Sequence, residues 1–478
     1  MMTRAFVSLL IGASALTACA VGPDYVRPAA PSTAAAPFIG GSSPTVSVAA
    51  VDDNWWRLYR DSVLDGLIAD ALTANTDIRV AVAHLEKARA QLRGARSDRL
   101  PQTGIDASAS YARLPASQVL PGQERQDYSV DAGLNVSYEL DLFGRVKRSI
   151  EAARGDAGAA AGDADAVRVA VVSDTVRAYV DATSSAERIA VARRTVALLD
   201  RSLHVTTSRF EAGRSDRLDV VRITALRDQR RADIAPLEAE RDAALFRLAT
   251  LTGRTPQELP TSVRARETTP RLDQPIPVGD GAALLARRPD VRVAERRLAA
   301  DTARIGVATA DLYPHISLGG SVGTTSLGLS DVVGGGPLRW LAGPVISWAF
   351  PNQQAIRARI AGSKADTQAS LASFDGTVLR ALEETERALS AYAHEQDRRT
   401  ALQSARDQAA RAASISVARQ REGQIDFLTV LDAERTLADS EADLAASDAR
   451  IAFTQVDLFR ALGGGWQGKA AGQAIAAR

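Results

Sequence analysis

The chain has 478 residues, and its 58 Lys and Arg against 57 Asp and Glu leave a formal net charge of +1, which gives no basic surface for nucleic acid. With 46% hydrophobic residues there is room for a large core or several domains, yet beyond the N-terminus no apolar run approaches the ~20 residues of a membrane-spanning helix. Any membrane crossing must then be made by strands, and only in a closed barrel, because lipid cannot satisfy an open sheet edge.

Residues 1–19 read MMTRAFVSLLIGASALTAC: one Arg, a short apolar run, then small residues before the chain's only cysteine. That pattern is a secretory signal, too short and wrongly flanked for an anchor. Leu16-Thr17-Ala18-Cys19 resembles a bacterial lipobox, which implies a signal peptide over 1–18 and a covalent lipid on Cys19. The lipoprotein sorting rule that comes with this resemblance reads Ala20 as export to the outer membrane. A single acylated cysteine leaves no intrachain disulfide. Residues 28–50 are rich in Pro, Ala, Ser and Thr, so 19–50 is expected to be a tether without its own core.

From there the chain is written twice. "DIRVAVAHLEKARAQLRGARSDRLPQ" at 77–102 returns as "DVRVAERRLAADTARIGVATADLYPH" at 290–315, and "RFEAGRSDRLDVV" at 209–221 returns as "RQREGQIDFLTVL" at 419–431. "SYEL" at 137–140 matches "SWAF" at 347–350, and Thr175, Arg177 and Ala178 recur as Thr385, Arg387 and Ala388. Two repeats are expected, over 51–270 and 271–462, with a C-terminal tail over 463–478. Each reads helix, strand, strand, long helix, Gly turn, helix.

Strands are predicted at about 104–114 and 128–142, then at about 315–326 and 338–350. In "YSVDAGLNVSYELDLFGR" at 128–145, Tyr128, Val130, Leu134, Val136 and Tyr138 fall on one parity and Asp131, Asn135 and Glu139 on the other. Trp340, Ala342, Pro344, Ile346, Trp348 and Phe350 share one face of the last strand. On tilted strands, Tyr128 and Tyr138, or Trp340 and Trp348, would stand roughly 20–26 Å apart, close to the apolar band of an outer-membrane barrel. A soluble sandwich also alternates; the lipobox favours lipid. Four strands cannot close a barrel, so copies must combine, two giving eight strands or three giving twelve.

Long helices are predicted over 144–210, 215–252, 353–421 and 424–462. Those over 144–210 and 353–421 would each span on the order of 100 Å. Phe374, Val378, Leu382 and Leu389 recur at helical spacing amid abundant Ala, a pattern for close coiled-coil-like packing. Gly213 and Gly423 mark the turns between long helices and their partners. His84, His204, His315 and His394 are scattered, which leaves no metal-ligand spacing. "VVGGGP" at 332–337 lacks the Lys of a phosphate loop and reads as a hairpin. No enzyme, metal or cofactor is expected, apart from the lipid on Cys19.

"CAVGPDY" at 19–25, "WWRLYRD" at 55–61, "YELDLFGR" at 138–145, "RRPDVRVAE" at 287–295, "DLYPHISL" at 311–318 and "FLTVLDAER" at 427–435 together resemble the TolC-like outer membrane factors of tripartite efflux pumps, in their lipoprotein NodT-type branch serving RND pumps. The resemblance implies an α+β membrane protein: a homotrimer whose twelve-stranded β-barrel, four strands per chain, continues as a long α-helical barrel into the periplasm. It implies an inner-membrane RND transporter and a periplasmic adaptor as partners, with Gly213 and Gly423 at the adaptor-contacting tips. It also implies a periplasmic gate made by an apolar ring at Leu428, a carboxylate ring at Asp432 and an ionic partner at Arg435. The corresponding Leu218, Asp219 and Arg222 of the first repeat depart from that motif. Drugs or other small toxic compounds are the expected cargo. The alternatives are a type I protein secretion channel and a non-conducting surface coiled-coil scaffold.

Overall fold

The computed structural model describes residues 20–464 except 30, 114, 116, 118, 120, 121, 123, 124, 273 and 327–337. The expected signal peptide, Cys19, the "VVGGGP" hairpin and 465–478 of the expected tail lie outside the described residues. Two compact units are present: Met1–Pro28, His84–Ala161 and Val293–Asp375 form the first, and Ala29–Ala83, Gly162–Arg292 and Gly376–Arg478 the second.

The first unit holds one four-stranded antiparallel sheet, order β1-β2-β3-β4, from β1 (Gln102–Arg113), β2 (Gln126–Leu140), β3 (His315–Ser326) and β4 (Leu338–Ser347). Alternation carries across the register. Ile105, Leu134, Val322 and Trp340 pair in one row, and all are exposed, at 81, 40, 45 and 75%. The opposite face is polar and cross-linked: Asn135 donates to Asp106, Thr325 donates to Asp131 at 2.7 Å, and Arg339 pairs with Asp131 at 2.6 Å. Among the described residues the outer edges of β1 and β4 have no partner strand. The last strand stops at Ser347, short of the expected 350. Beyond it, Trp348 stacks on Phe350 and gives its indole N–H to the Leu312 carbonyl at 3.0 Å, leaving the ladder for a turn.

The "YELDLFGR" segment turns strand into helix. Asp141 accepts the Val146 and Lys147 amides at 2.9 and 2.8 Å, capping α3 (Arg145–Glu211), which follows α1 (Ser62–Ala74) and α2 (Thr76–Ser97) in the chain. At 67 residues α3 is on the order of 100 Å long. Where it meets α8 (Pro289–Ala310), Gly155 lies so near Ala300 that an added Cβ would sit 2.8 Å from its Cβ. Ala20–Asp24 is pinned at this junction. Val21 N–H donates to the Phe143 carbonyl at 3.1 Å, and Arg148 reaches Asp24 at 2.7 Å. Gly22, at φ +89°, lies against Gly306 with no room for a side chain.

The second unit carries the main apolar core. Trp55 is fully buried and stacks on Phe459 at 4.5 Å, with Leu64, Ile68, Val176, Tyr179 and Leu248 around it. The repeated threonines Thr175 and Thr385 are both fully buried, and each bonds the carbonyl four residues earlier. The helix predicted over 215–252 is in fact two, α4 (Arg217–Ala232) and α5 (Ile234–Leu251). The cause is Pro236, which has no N–H for the Ala232 carbonyl and clashes with it. Short α6 (Thr261–Arg264) and α7 (Gly281–Arg287) follow, then α9 (Gln354–Arg421) and α10 (Phe427–Ala461). In α10 the position corresponding to Pro236 is Ala446, and the helix runs unbroken. Among the described residues no helix is long and apolar enough to cross a membrane.

Candidate gate and helix-tip turns

Both helix reversals are built the same way. Gly213 at φ +71° donates to the Phe210 carbonyl at 2.9 Å, and Arg214 to the Arg209 carbonyl at 2.8 Å. Gly423 at φ +74° donates to Gln420 at 3.0 Å, and Gln424 to Arg419 at 2.9 Å. These paired bonds are the Schellman stop, which places a left-handed residue after the last turn. Three residues later an aspartate opens the next helix: Asp216 accepts the Leu218 amide at 2.9 Å, and Asp426 accepts the Thr429 amide at 2.9 Å and its hydroxyl at 2.6 Å. Those Thr429 bonds hold the Asp426 carboxyl below its ordinary range. The Gly-x-x-Asp spacing of both turns was the available signal for the caps, which the sequence reading missed.

An added Cβ at Gly213 or Gly423 would meet nothing within 4 Å, so only the backbone angle demands glycine. Gly213→Ala is therefore expected to cost about 1 kcal/mol, the price of left-handed strain alone. A shift in the urea midpoint at unchanged slope measures it. A loss several times larger would mean that the turn packs against something.

Leu428, Asp432 and Arg435 all lie on α10, with Leu428 half-exposed and Asp432 and Arg435 exposed. Leu218, Asp219 and Arg222 lie on α4, where Asp219 accepts the Ser215 hydroxyl at 3.0 Å. Within the chain Arg435 does not pair with Asp432. It reaches Asp439 at 3.9 Å, because the i,i+4 step along the helix lies within reach. Asp439 also takes Arg230 of α4 at 2.5 Å, and Glu434 accepts the Ser202 hydroxyl of α3 at 2.6 Å. Two further residues thus tie the candidate gate helix to its neighbours. Asp439 could have been found one i,i+4 step after Arg435. Glu434 carries no such signal, since its burial depends on tertiary packing.

Among the histidines, His315 stands 3.6 Å from Asp311 and 3.9 Å from Glu139, whereas His394 is solvent-exposed beside Asp397. No group of three or more metal-ligating side chains occurs among the described residues.

Comparison with known proteins supplies the family. The family model for outer membrane efflux proteins matches residues 67–254 and 282–464. The chain is 33% identical to the outer membrane protein OprJ of Pseudomonas aeruginosa, over 96% of each chain. The chain belongs to the outer membrane efflux protein family. This efflux protein is also 31% identical to the toluene efflux pump outer membrane protein TtgF of Pseudomonas putida, over 95% of each. Its fold matches the outer-membrane channel OprN with a TM-score of 0.88 and 37% identity, covering 94% of this chain and all of that one. It is an outer membrane factor of RND efflux systems, placed in the outer membrane and extending into the periplasm.

Proposed function

We propose that three copies of this efflux protein close one twelve-stranded barrel, each contributing its four-stranded sheet, with the internal repeat giving six helical segments around the tunnel below. The observation that carries this reading is the sheet itself, with one exposed apolar face and, among the described residues, two unpaired edges. Unpaired N–H and C=O groups are not tolerated against lipid, and association of copies removes both edges at once. The apolar face would meet lipid, and the face of Asp106, Asp131, Asn135 and Arg339 a wet lumen. The channel catalyses nothing. It receives drugs or other small toxic compounds from an inner-membrane RND transporter through a periplasmic adaptor seated on the Gly213 and Gly423 turns. The name of TtgF, a toluene efflux pump component, supports small apolar compounds as the cargo class rather than secreted polypeptide.

Light scattering of the detergent-solubilised protein is expected to return three chains per particle. A folded monomer would defeat both barrel and channel.

The gate reading stays with Leu428, Asp432 and Arg435. Lipidation of Cys19 is proposed as well, and the pinned Ala20–Asp24 segment supports it. The Val21 amide bonds Phe143, three residues past the end of β2, so the first described residues are held beside the strand ends. Mass spectrometry of the mature protein should find an acylated N-terminal cysteine. Cys19→Ala should lower the trimer yield while the surviving trimers stay in the membrane. An unmodified thiol would sink this idea.

A further inference from the structure

We propose that the groove between α3, α9 and α10 binds a small apolar ammonium compound, held by the Glu434 carboxylate. The groove has a volume of about 360 Å³, near the lower end of the roughly 300–1,000 Å³ typical of ligand pockets. Leu198 and Leu199 of α3, Ala413 and Val417 of α9, and Leu437 and Ala438 of α10 form its walls. Into this apolar space projects a carboxyl group that is only half satisfied. Its Oε1 accepts the Ser202 hydroxyl at 2.6 Å, while its Oε2 is buried and has no hydrogen-bond partner among the described residues.

The charge inventory selects the ligand. Of the ionisable groups lining the groove, α3 and α9 contribute none and α10 contributes Glu434 and Glu441. Glu441 is already engaged by Arg406 at 3.4 Å. Glu434 therefore has the Ser202 hydroxyl as its one hydrogen-bond donor among the described residues, in a mostly apolar groove that Thr195 and Ser414 also line, and a buried carboxylate without a cation is strongly disfavoured. An ammonium group would supply both the missing donor and the counter-charge. Its hydrocarbon body would cover the apolar walls and remove their area from water. Anions would be repelled, and a neutral alcohol would bring a donor without the charge. The site does not depend on Leu428 or Asp432 closing the channel.

The probe is 1-aminoadamantane, a rigid apolar cage carrying one ammonium, titrated calorimetrically into the intact detergent-solubilised protein, with 1-adamantanol as its neutral counterpart. The amine should bind at least tenfold more tightly than the alcohol, and Glu434→Gln should cost the amine about tenfold or more while oligomer mass and melting stay unchanged. Ala413→Leu, which fills the groove without touching the carboxyl, should abolish binding of both compounds. Burial holds the Glu434 carboxyl above its ordinary range, and the ammonium selects its ionised form, so whatever fraction is protonated loses its proton on binding. Amine affinity should accordingly rise with pH through that carboxyl's titration, with heats that depend on the buffer's own ionisation enthalpy. No binding by the wild-type protein, because water or a neighbouring chain fills the groove, would overturn the proposal. So would equal affinity for amine and alcohol, or a Glu434→Gln variant that binds as the wild type does.

Discussion

A channel carrying Leu428→Ala and Asp432→Ala together is expected to pass several-fold more current in planar bilayers than the wild type at equal abundance. Leu428 is half-exposed at the start of α10 and Asp432 lies one turn further on, so both project from the same helix face. On a three-fold axis, three leucines would narrow an apolar constriction. Three carboxylates at close range would repel one another and require cations or guanidinium partners. Adaptor contacts can shift such a gate only if opening costs a few kcal/mol, so losing two closed-state interactions should open a large fraction of channels. Cells making the variant should become sensitive to large antibiotics that the outer membrane excludes. Arg230→Ala tests the tie that lies within the chain. It removes an Asp439 partner on α4, and because Asp439 is half-exposed, so that water reaches the pair, its effect should be smaller. Unchanged conductance in the double variant would move the constriction to Leu218–Arg222 on α4.

Period-2 alternation put Tyr128, Val130 and Leu134 opposite Asp131 and Asn135, and the register keeps them on opposite faces because side chains alternate whatever the strand's neighbours. Strand ends were less legible. Trp348 continues the alternation of β4, but its indole bonds the Leu312 carbonyl, a tertiary contact with no local signature. The break at Asp233 could have been read, because Pro236 stood in view inside a predicted helix. At the candidate gate, the positions of Leu428, Asp432 and Arg435 on one helix followed from spacing. The partner of Arg435 did not, since Asp432 and Asp439 are both within helical reach and only the folded chain pairs it with Asp439. Ser202 and Glu434 lie 232 residues apart, and periodicity carries no information about that pairing.

Several motifs that carry the family resemblance turn out to hold the second unit together rather than to act on cargo. In "RRPDVRVAE", Arg288 donates to the Ala461 carbonyl at 3.0 Å and pairs with Asp290 and Glu384, each at 2.7 Å. One guanidinium thereby satisfies the end of α10, the start of α8 and the middle of α9. Its five fixed donors suit it to this task better than a lysine. The neighbouring salt bridges expect the charged form, and these pairings hold the Arg288 pKa above its usual value despite the opposing effect of burial.

The largest loss of stability is expected at Asp61, the last residue of "WWRLYRD". Its carboxylate is buried and does three things at once. It caps α1 by accepting the Val63 and Leu64 amides at 3.0 and 3.4 Å, it accepts the Tyr179 hydroxyl at 2.8 Å, and it pairs with Arg266 at 2.9 Å. Burial, reinforced by the Asp61 hydrogen bond and charge, pushes the Tyr179 hydroxyl far above its ordinary range, so it remains a donor at any working pH. Asp61→Ala removes the cap, worth about 1 kcal/mol. It also leaves the Tyr179 hydroxyl and the Arg266 guanidinium without their acceptor, at about 1–3 kcal/mol for the buried group. The expected total is about 2–4 kcal/mol, read as a lower denaturant midpoint of the helical signal at unchanged slope. The cap uses Oδ1 whereas Tyr179 and Arg266 share Oδ2, so Asp61→Asn can keep its one oxygen for the cap but sets an NH2 against those two donors, and only the capping part, about 1 kcal/mol, should return. Tyr179→Phe should cost least of the three, about 1 kcal/mol, because it deletes one donor and leaves the carboxylate with its cap and its cation. If Asp61→Ala and Asp61→Asn were equally damaging, the cap would contribute nothing measurable beside the acceptor that Tyr179 and Arg266 share.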